Sequence, residues 1–187
     1  MSEGEIDRGL LERWALFYLA RFSSSAENLR RVLLRRTRPR APLEREGQAE
    51  WQARARALID GLVAEYQQKG LIDDRAYAAG RARSLLRRGA SASAILAKLR
   101  AKGVAPEIAA GAVGALKAES GALDLDLAAA IAFARRRRLG PYRRAAAERA
   151  KELAAFARAG FARRVAERVL ACEHPDAAEA MLREGRE

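Results

Sequence analysis

Between Lys69 and Gly103 the chain reads K-G-L-I-D-D-R-A-Y-A-A-G-R-A-R-S-L-L-R-R-G-A-S-A-S-A-I-L-A-K-L-R-A-K-G, and this punctuation admits little except short helices laid end to end. Gly70 can take the left-handed conformation that closes a preceding helix, and Asp73 can start the next by accepting hydrogen bonds from its first free N–H groups. The helix that follows is expected to carry Ala76, Tyr77, Gly80 and Ser84/Leu85 along one side and Arg81, Arg83, Arg87 and Arg88 over much of the rest, until Gly89 ends it. Ser91 or Ser93 then caps a further helix whose Ala92, Ile95, Leu96 and Leu99 follow the i, i+3, i+4, i+7 rule, and Gly103 stops that one.

The same grammar extends in both directions. A first helix from about Leu10 to Phe22 groups Leu11, Trp14, Ala15, Tyr18 and Phe22 on one face. Ser24 followed by Glu27 has capping-box spacing and opens a second helix that turns Leu29, Val32 and Leu33 inward. The stretch T-R-P-R-A-P-L-E-R-E-G, Thr37 to Gly47, holds two prolines and no apolar period, so it reads as a connecting loop with solvated arginines. From Glu50 to Lys69 the stripe Trp51, Ala55, Leu58, Ile59, Leu62, Val63 and Tyr66 marks a long helix. Beyond the central stretch, Pro106 suits a first helical position, with Ile108, Ala112, Val113 and Leu116 facing inward and Ser120–Gly121 as the stop. Asp124 or Asp126 caps the next helix, with Leu127, Ala130, Ile131 and Ala134 inside, which runs through Arg135–Arg138 to Gly140 and Pro141. Residues 144–159 place Ala146, Ala150, Leu153 and Phe156 together, and residues 161–171 form a closing helix. His174–Pro175 marks the end of ordered structure.

Displacing the sequence by 57 residues brings Leu96 onto Leu153, Leu99 onto Phe156, Gly103 onto Gly160, Val104 onto Phe161, Ile108 onto Val165 and Val113 onto Leu170. This coincidence indicates tandem helical units too small to bury a core alone, which must therefore stack. The expected fold is all-α: three tandem three-helix repeats stacked into an elongated, curved body. A flexible N-terminus (1–9) precedes repeat 1 (10–70, with its loop 37–48), repeat 2 (71–121), repeat 3 (122–173) and a C-terminal tail (174–187).

Charge narrows the function. The net charge of +12 divides into +3 over residues 1–70, +5 over 71–120 and +4 over 121–187, so no detachable basic tail accounts for it. Arginine outnumbers lysine 31 to 5, as a GC-rich genome would favour, but such bias exchanges one cation for another and creates no excess over Asp and Glu. A basic body of this kind suits a polyanion or an acidic protein surface. The candidate contact residues are Arg81, Arg83, Arg87 and Arg88 before Gly89, Lys98 and Lys102 on the next helix, and Arg135, Arg136, Arg137 and Arg138 before Gly140. Catalysis is not expected. The one histidine, His174, stands beside a proline, the one cysteine, Cys172, falls on an apolar helical face, and Asp73–Asp74 are explained by capping, so neither a metal site nor a nucleophile with its base assembles. There is no phosphate-binding glycine loop and no apolar run that could span a bilayer, so no cofactor is expected and the chain reads as soluble and cytoplasmic. A stand-alone, sequence-nonspecific DNA-binding protein is the alternative that these cations leave open.

The motif K-G-L-I-D-D-R-A-Y-A, followed by R-R-G-A-S-A-S-A-I-L-A-K-L-R-A-K-G-V and Ile108, resembles the RecX family of recombination regulators. So do the opening A-L-F-Y-L-A-R-F-S-S-S and the late F-A-R-A-G-F-A-R-R-V. The resemblance covers about residues 11–172; the 37–47 loop and P-Y-R-R-A-A-A-E-R depart from the family pattern. It implies a protein, expected to be a monomer, that binds the RecA recombinase filament along its groove. Such a protein limits filament growth, ATP hydrolysis and strand exchange, and so modulates DNA repair and the SOS response. Some family members also bind DNA weakly.

Overall fold

The structure, a computed structural model, describes residues 6–42, 47–120 and 124–184. The expected stop at Gly121 and the extremities of the two terminal segments lie outside the described residues. Among the described residues the chain is all-α, with ten α-helices, two 3₁₀ turns and no strand. It divides into two compact units, one formed by the residues up to Tyr77 together with Lys102–Val104, the other by Ala78–Ala101 and the residues from Ala105 onward.

The first unit contains α1 (Arg8–Leu19), α2 (Ala26–Thr37), a 3₁₀ turn (Arg38–Arg40) and α3 (Gln48–Gln68). Leu11, Ala15, Leu29, Leu33, Ile59, Leu62 and Val63 close on one another with at most 2% exposure, and burying each of the larger ones contributes about 1.5–3 kcal/mol. Asp7 caps α1, its carboxylate accepting from the Leu10 N–H at 2.7 Å. The cap of α2 is Ser25, which accepts from the Asn28 N–H at 3.2 Å. Ser24, expected in that role, accepts from the Asn28 side-chain amide at 2.8 Å instead, and Glu27 pairs with Arg31 at 2.8 Å. Phe22, expected in the core, is 56% exposed because α1 ends three residues earlier and the inward phase that sets Tyr18 is not continued. Trp14 is only half-buried, and two arginines lie over its ring, Arg36 at 4.7 Å and Arg40 at 5.5 Å from the centroid. Arg40 therefore packs on the helix rather than standing free in a solvated loop.

The second unit takes most of α4 (Asp74–Arg87), then α5 (Ala92–Ala101), α6 (Pro106–Glu119), α7 (Leu125–Arg137), a 3₁₀ turn (Gly140–Tyr142), α8 (Arg149–Arg158), α9 (Arg163–Leu170) and α10 (Pro175–Glu184). Its core centres on three rings, Phe133, Phe156 and Phe161, whose centroids lie 5.2, 5.5 and 5.7 Å apart in tilted and edge-on arrangements. Such pairs add about 0.5–1.5 kcal/mol each beyond the area they bury. Leu127, Ile131, Val165, Val169 and Leu170 complete the cluster.

Three expectations need correction in this unit. The inward face of α4 is Ala78, Ala82 and Leu85, while Ala76 and Gly80 are exposed; among alanines and glycine, hydrophobicity cannot fix the phase. Helix α8 begins at Arg149 rather than near residue 144, and Ala146 and Ala150 are exposed. The buried Glu152 secures the turn before it by accepting the Gly140 N–H at 2.7 Å. Order does not end at His174–Pro175, because Pro175 begins α10 and Ala178 is fully buried. Cys172 is half-buried beside the core, and desolvation pushes its thiol pKa up.

Candidate partner-binding surface

The inward residues set a common register for α4 and α7. Ala78, Ala82 and Leu85 in the first correspond to Leu127, Ile131 and Ala134 in the second, all buried at i, i+4 and i+7. Both helices also end in the same way. The Leu85 carbonyl accepts the Ala90 N–H at 3.1 Å, and the Ala134 carbonyl accepts the Leu139 N–H at 2.9 Å. These bonds close around a left-handed residue, Gly89 (φ +72°) in one and Arg138 (φ +57°) in the other. The stop of α7 is thus Arg138, not Gly140, and in this register Arg87 and Arg88 match Arg136 and Arg137.

Geometry sorts the candidate cations into two groups. Arg87, Arg88, Arg136, Arg137, Arg138 and Lys98 are exposed, and among the described residues none of them meets a carboxylate. The others are engaged. Arg83 forks onto Glu119 through Nη2 at 2.6 Å and Nε at 3.4 Å, which raises the guanidinium pKa and lowers the carboxyl pKa. Arg135 pairs with Glu179 of α10 and stands 5.6 Å from the centroid of the Tyr142 ring. Arg81 is half-buried, and the Lys102 ammonium donates to Asn28 Oδ1 at 3.3 Å. Of the ten candidate cations, the exposed arginines left without a carboxylate therefore fall at the C-terminal ends of α4 and α7, where helix dipoles also favour cations.

A second pattern, invisible to the motif search, recurs once in each unit. In the first, Ser25 Oγ donates to the Lys102 carbonyl while the Ala26 N–H donates to Asp74 Oδ1 at 2.8 Å. In the second, Ser91 Oγ donates to the Ala159 carbonyl at 2.8 Å while the Ala92 N–H donates to Asp126 Oδ1 at 2.9 Å. In both, a serine caps one helix and ties the end of another, and an aspartate from a third helix takes the first free N–H. The open alternatives resolve accordingly. Ser91 caps α5 while Ser93 donates to the Gly160 carbonyl at 2.8 Å, and Asp124 caps α7 while Asp126 serves the joint. Asp73 caps its own helix, its carboxylate accepting from the Arg75 and Ala76 N–H groups. Asp74 does not; the only sign of its separate role is that a helix start needs one capping acid and this one has two.

Among the described residues no cluster of three or more His, Cys, Asp or Glu could hold a metal ion, and no helix is long and apolar enough to cross a membrane. A hollow of about 360 Å³ beside Leu34, Trp51 and Ala55 has Arg38 and Arg56 in its wall, but neither an acid nor a histidine.

The comparisons with known proteins converge. The family profile described as "RecX, second three-helix domain" matches residues 73–113, which span α4, α5 and the first part of α6. The Regulatory protein RecX of Myxococcus xanthus is 38% identical over 164 residues, covering 86% of this chain and 83% of its own. That of Agrobacterium fabrum is 35% identical over 160 residues, covering 84% and 79%. No solved structure gives a significant match. With identity at this level over more than four fifths of its length, the chain belongs to the RecX family of regulatory proteins.

Proposed function

We propose that this protein is a non-enzymatic cytoplasmic regulator that binds a RecA-type recombinase and its filament on single-stranded DNA. Bound there as a monomer, it inhibits filament extension, ATP hydrolysis and strand exchange, and so modulates recombination, repair and the SOS response. The observation that carries this reading is the register match that puts Arg87 and Arg88 on α4 and Arg136–Arg138 on α7 at equivalent ends, all exposed and without carboxylate partners among the described residues. A partner that repeats, as a filament does, is suited by cations that recur at equivalent points. The two serine–aspartate joints support three tandem three-helix repeats, bounded as the sequence suggests at about residues 70 and 121, each joint fastening one repeat to the next. Contact with bare DNA is weak and nonspecific, since arginines at helix ends can hold phosphates without reading bases.

The test is the recombinase's DNA-dependent ATP hydrolysis, measured with wild type and with a variant carrying Arg87→Ala, Arg88→Ala, Arg136→Ala, Arg137→Ala and Arg138→Ala. The wild type suppresses turnover, and the variant loses that suppression while keeping its helical circular dichroism. Undiminished suppression by the variant would move the contact surface elsewhere.

A further inference from the structure

Helix α1 shares the register of α4 and α7, with Leu11, Ala15 and Tyr18 where α4 has Ala78, Ala82 and Leu85. The outward positions can then be compared directly. Where α4 presents Arg83, Ser84, Arg87 and Arg88, α1 presents Leu16, Phe17, Ala20 and Arg21, and Phe22 stands where α4 has Gly89. Leu16, Phe17 and Phe22 are 51%, 55% and 56% exposed, three of the four large apolar side chains most open to solvent among the described residues. The Arg21 guanidinium lies 4.2 Å from the Phe17 ring centroid. Arg13 is exposed on the same helix, and no acidic residue occurs between Glu12 and Glu27. At the positions of Leu16 and Phe17, α4 carries Arg83 and Ser84 and α7 carries Ala132 and the buried Phe133, so only α1 sets two exposed large apolar side chains there, with a rim that is cationic only.

We infer that this face of α1 is a second contact surface, an apolar anchor for a protein partner whose matching hollow is apolar and ringed by carboxylates. Aromatic and arginine side chains around an apolar centre are the composition of a protein interface core. A single strand of nucleic acid fits less well, because Leu16 offers a base no ring to stack on and the guanidinium of Arg21 already covers one face of Phe17. The partner's identity rests on the function proposed above: the recombinase would be held by two kinds of contact, cations from α4 and α7 and an anchor from α1. The anchor supplies the part of the affinity that salt does not screen.

The test uses the full-length chain and a preformed RecA filament on single-stranded DNA, with bare strand as control, at low and high salt. Leu16→Ser combined with Phe17→Ser weakens filament binding at high salt by at least about tenfold, the loss expected on removing an interface anchor. Helicity and binding to bare strand are unchanged, since both side chains face solvent. Phe17→Leu, which keeps an apolar side chain, retains most of the affinity. Wild-type affinity of the double variant for the filament at high salt would overturn the inference, as would a parallel loss on bare strand, which would make the occupant nucleic acid. A wild type that sediments as a dimer while the variant sediments as a monomer would make it a second copy of this chain. If the wild type binds no filament under any condition, the recombinase reading itself fails, and this assignment with it.

Discussion

Replacing Gly89 by alanine should be far more damaging than the same replacement at Gly70, although the two glycines share a backbone conformation, φ +72° and +71°. Each ends a helix in the left-handed region, where an L-residue costs about 1–2 kcal/mol, while the new side chain restricts the unfolded chain and returns about 0.4–1 kcal/mol. At Gly70 no described residue beyond its chain neighbours lies within 4 Å of the added Cβ, so the net loss is about 0.5–1.5 kcal/mol. At Gly89 the Cβ would stand 2.5 Å from the Phe133 amide nitrogen, 2.9 Å from its Cα and 3.0 Å from the Ala129 carbonyl oxygen. These are backbone atoms of α7 and cannot swing aside, so overpacking adds about 1–3 kcal/mol and brings the total to about 2–4 kcal/mol. Arg138→Gly is the reverse experiment, since it relieves a non-glycine residue at φ +57° and should stabilise by about 0.5–1 kcal/mol. Urea denaturation followed by circular dichroism at 222 nm measures all three. If Gly89→Ala and Gly70→Ala agreed within about 0.5 kcal/mol, the close approach of the α4 terminus to α7 would be refuted.

Leu62→Ala and Leu99→Ala, at 2% and 0% exposure, should each cost about 2–5 kcal/mol in the same assay, and a loss below about 0.5 kcal/mol would place the residue on the surface. Asp126→Ala leaves the Ala92 N–H without its acceptor and should cost about 0.5–2 kcal/mol, with Asp74→Ala costing a similar amount through Ala26; no change at either would dissolve the paired joints. Burial holds the Cys172 thiol above its ordinary pKa, so its alkylation should rise with pH at a midpoint above that of an unhindered thiol. The sign for stability follows: the preference for the neutral thiol helps the fold below the unfolded pKa and is lost as pH climbs through the folded value. A midpoint at or below the free-thiol value would contradict the burial.

The helical class was legible because glycine, proline and capping side chains act locally. Gly70, Asp73, Gly89 and Pro106 each declare a helix end within a few residues. Phase was harder wherever alanine dominates. Ala78 is fully buried and Ala76 exposed with the same side chain, and residues 145–147 are apolar yet lie outside α8. Long-range partners were not legible at all. Arg83 and Arg135 look like their neighbours, and what removes them from the free surface is a carboxylate 36 or 44 residues away. Phe22 and Phe17 illustrate the same limit from the apolar side. The helical period suggested burial for Phe22, but the early end of α1 leaves it exposed, its ring centroid 5.2 Å from that of Tyr18, and Phe17 is open to solvent as well.

The most direct test of the account measures binding to bare single strand and to preformed recombinase filament across a salt series. If the five unpaired arginines of α4 and α7 merely neutralised about five phosphates, affinity for either substrate would fall with a common log–log slope near about −3.5. The account instead predicts preference for the filament and a residue of binding that survives high salt, because apolar contacts at the partner surface are not screened. Equal affinity for both substrates with one shared slope would contradict it and leave a nonspecific DNA-binding protein.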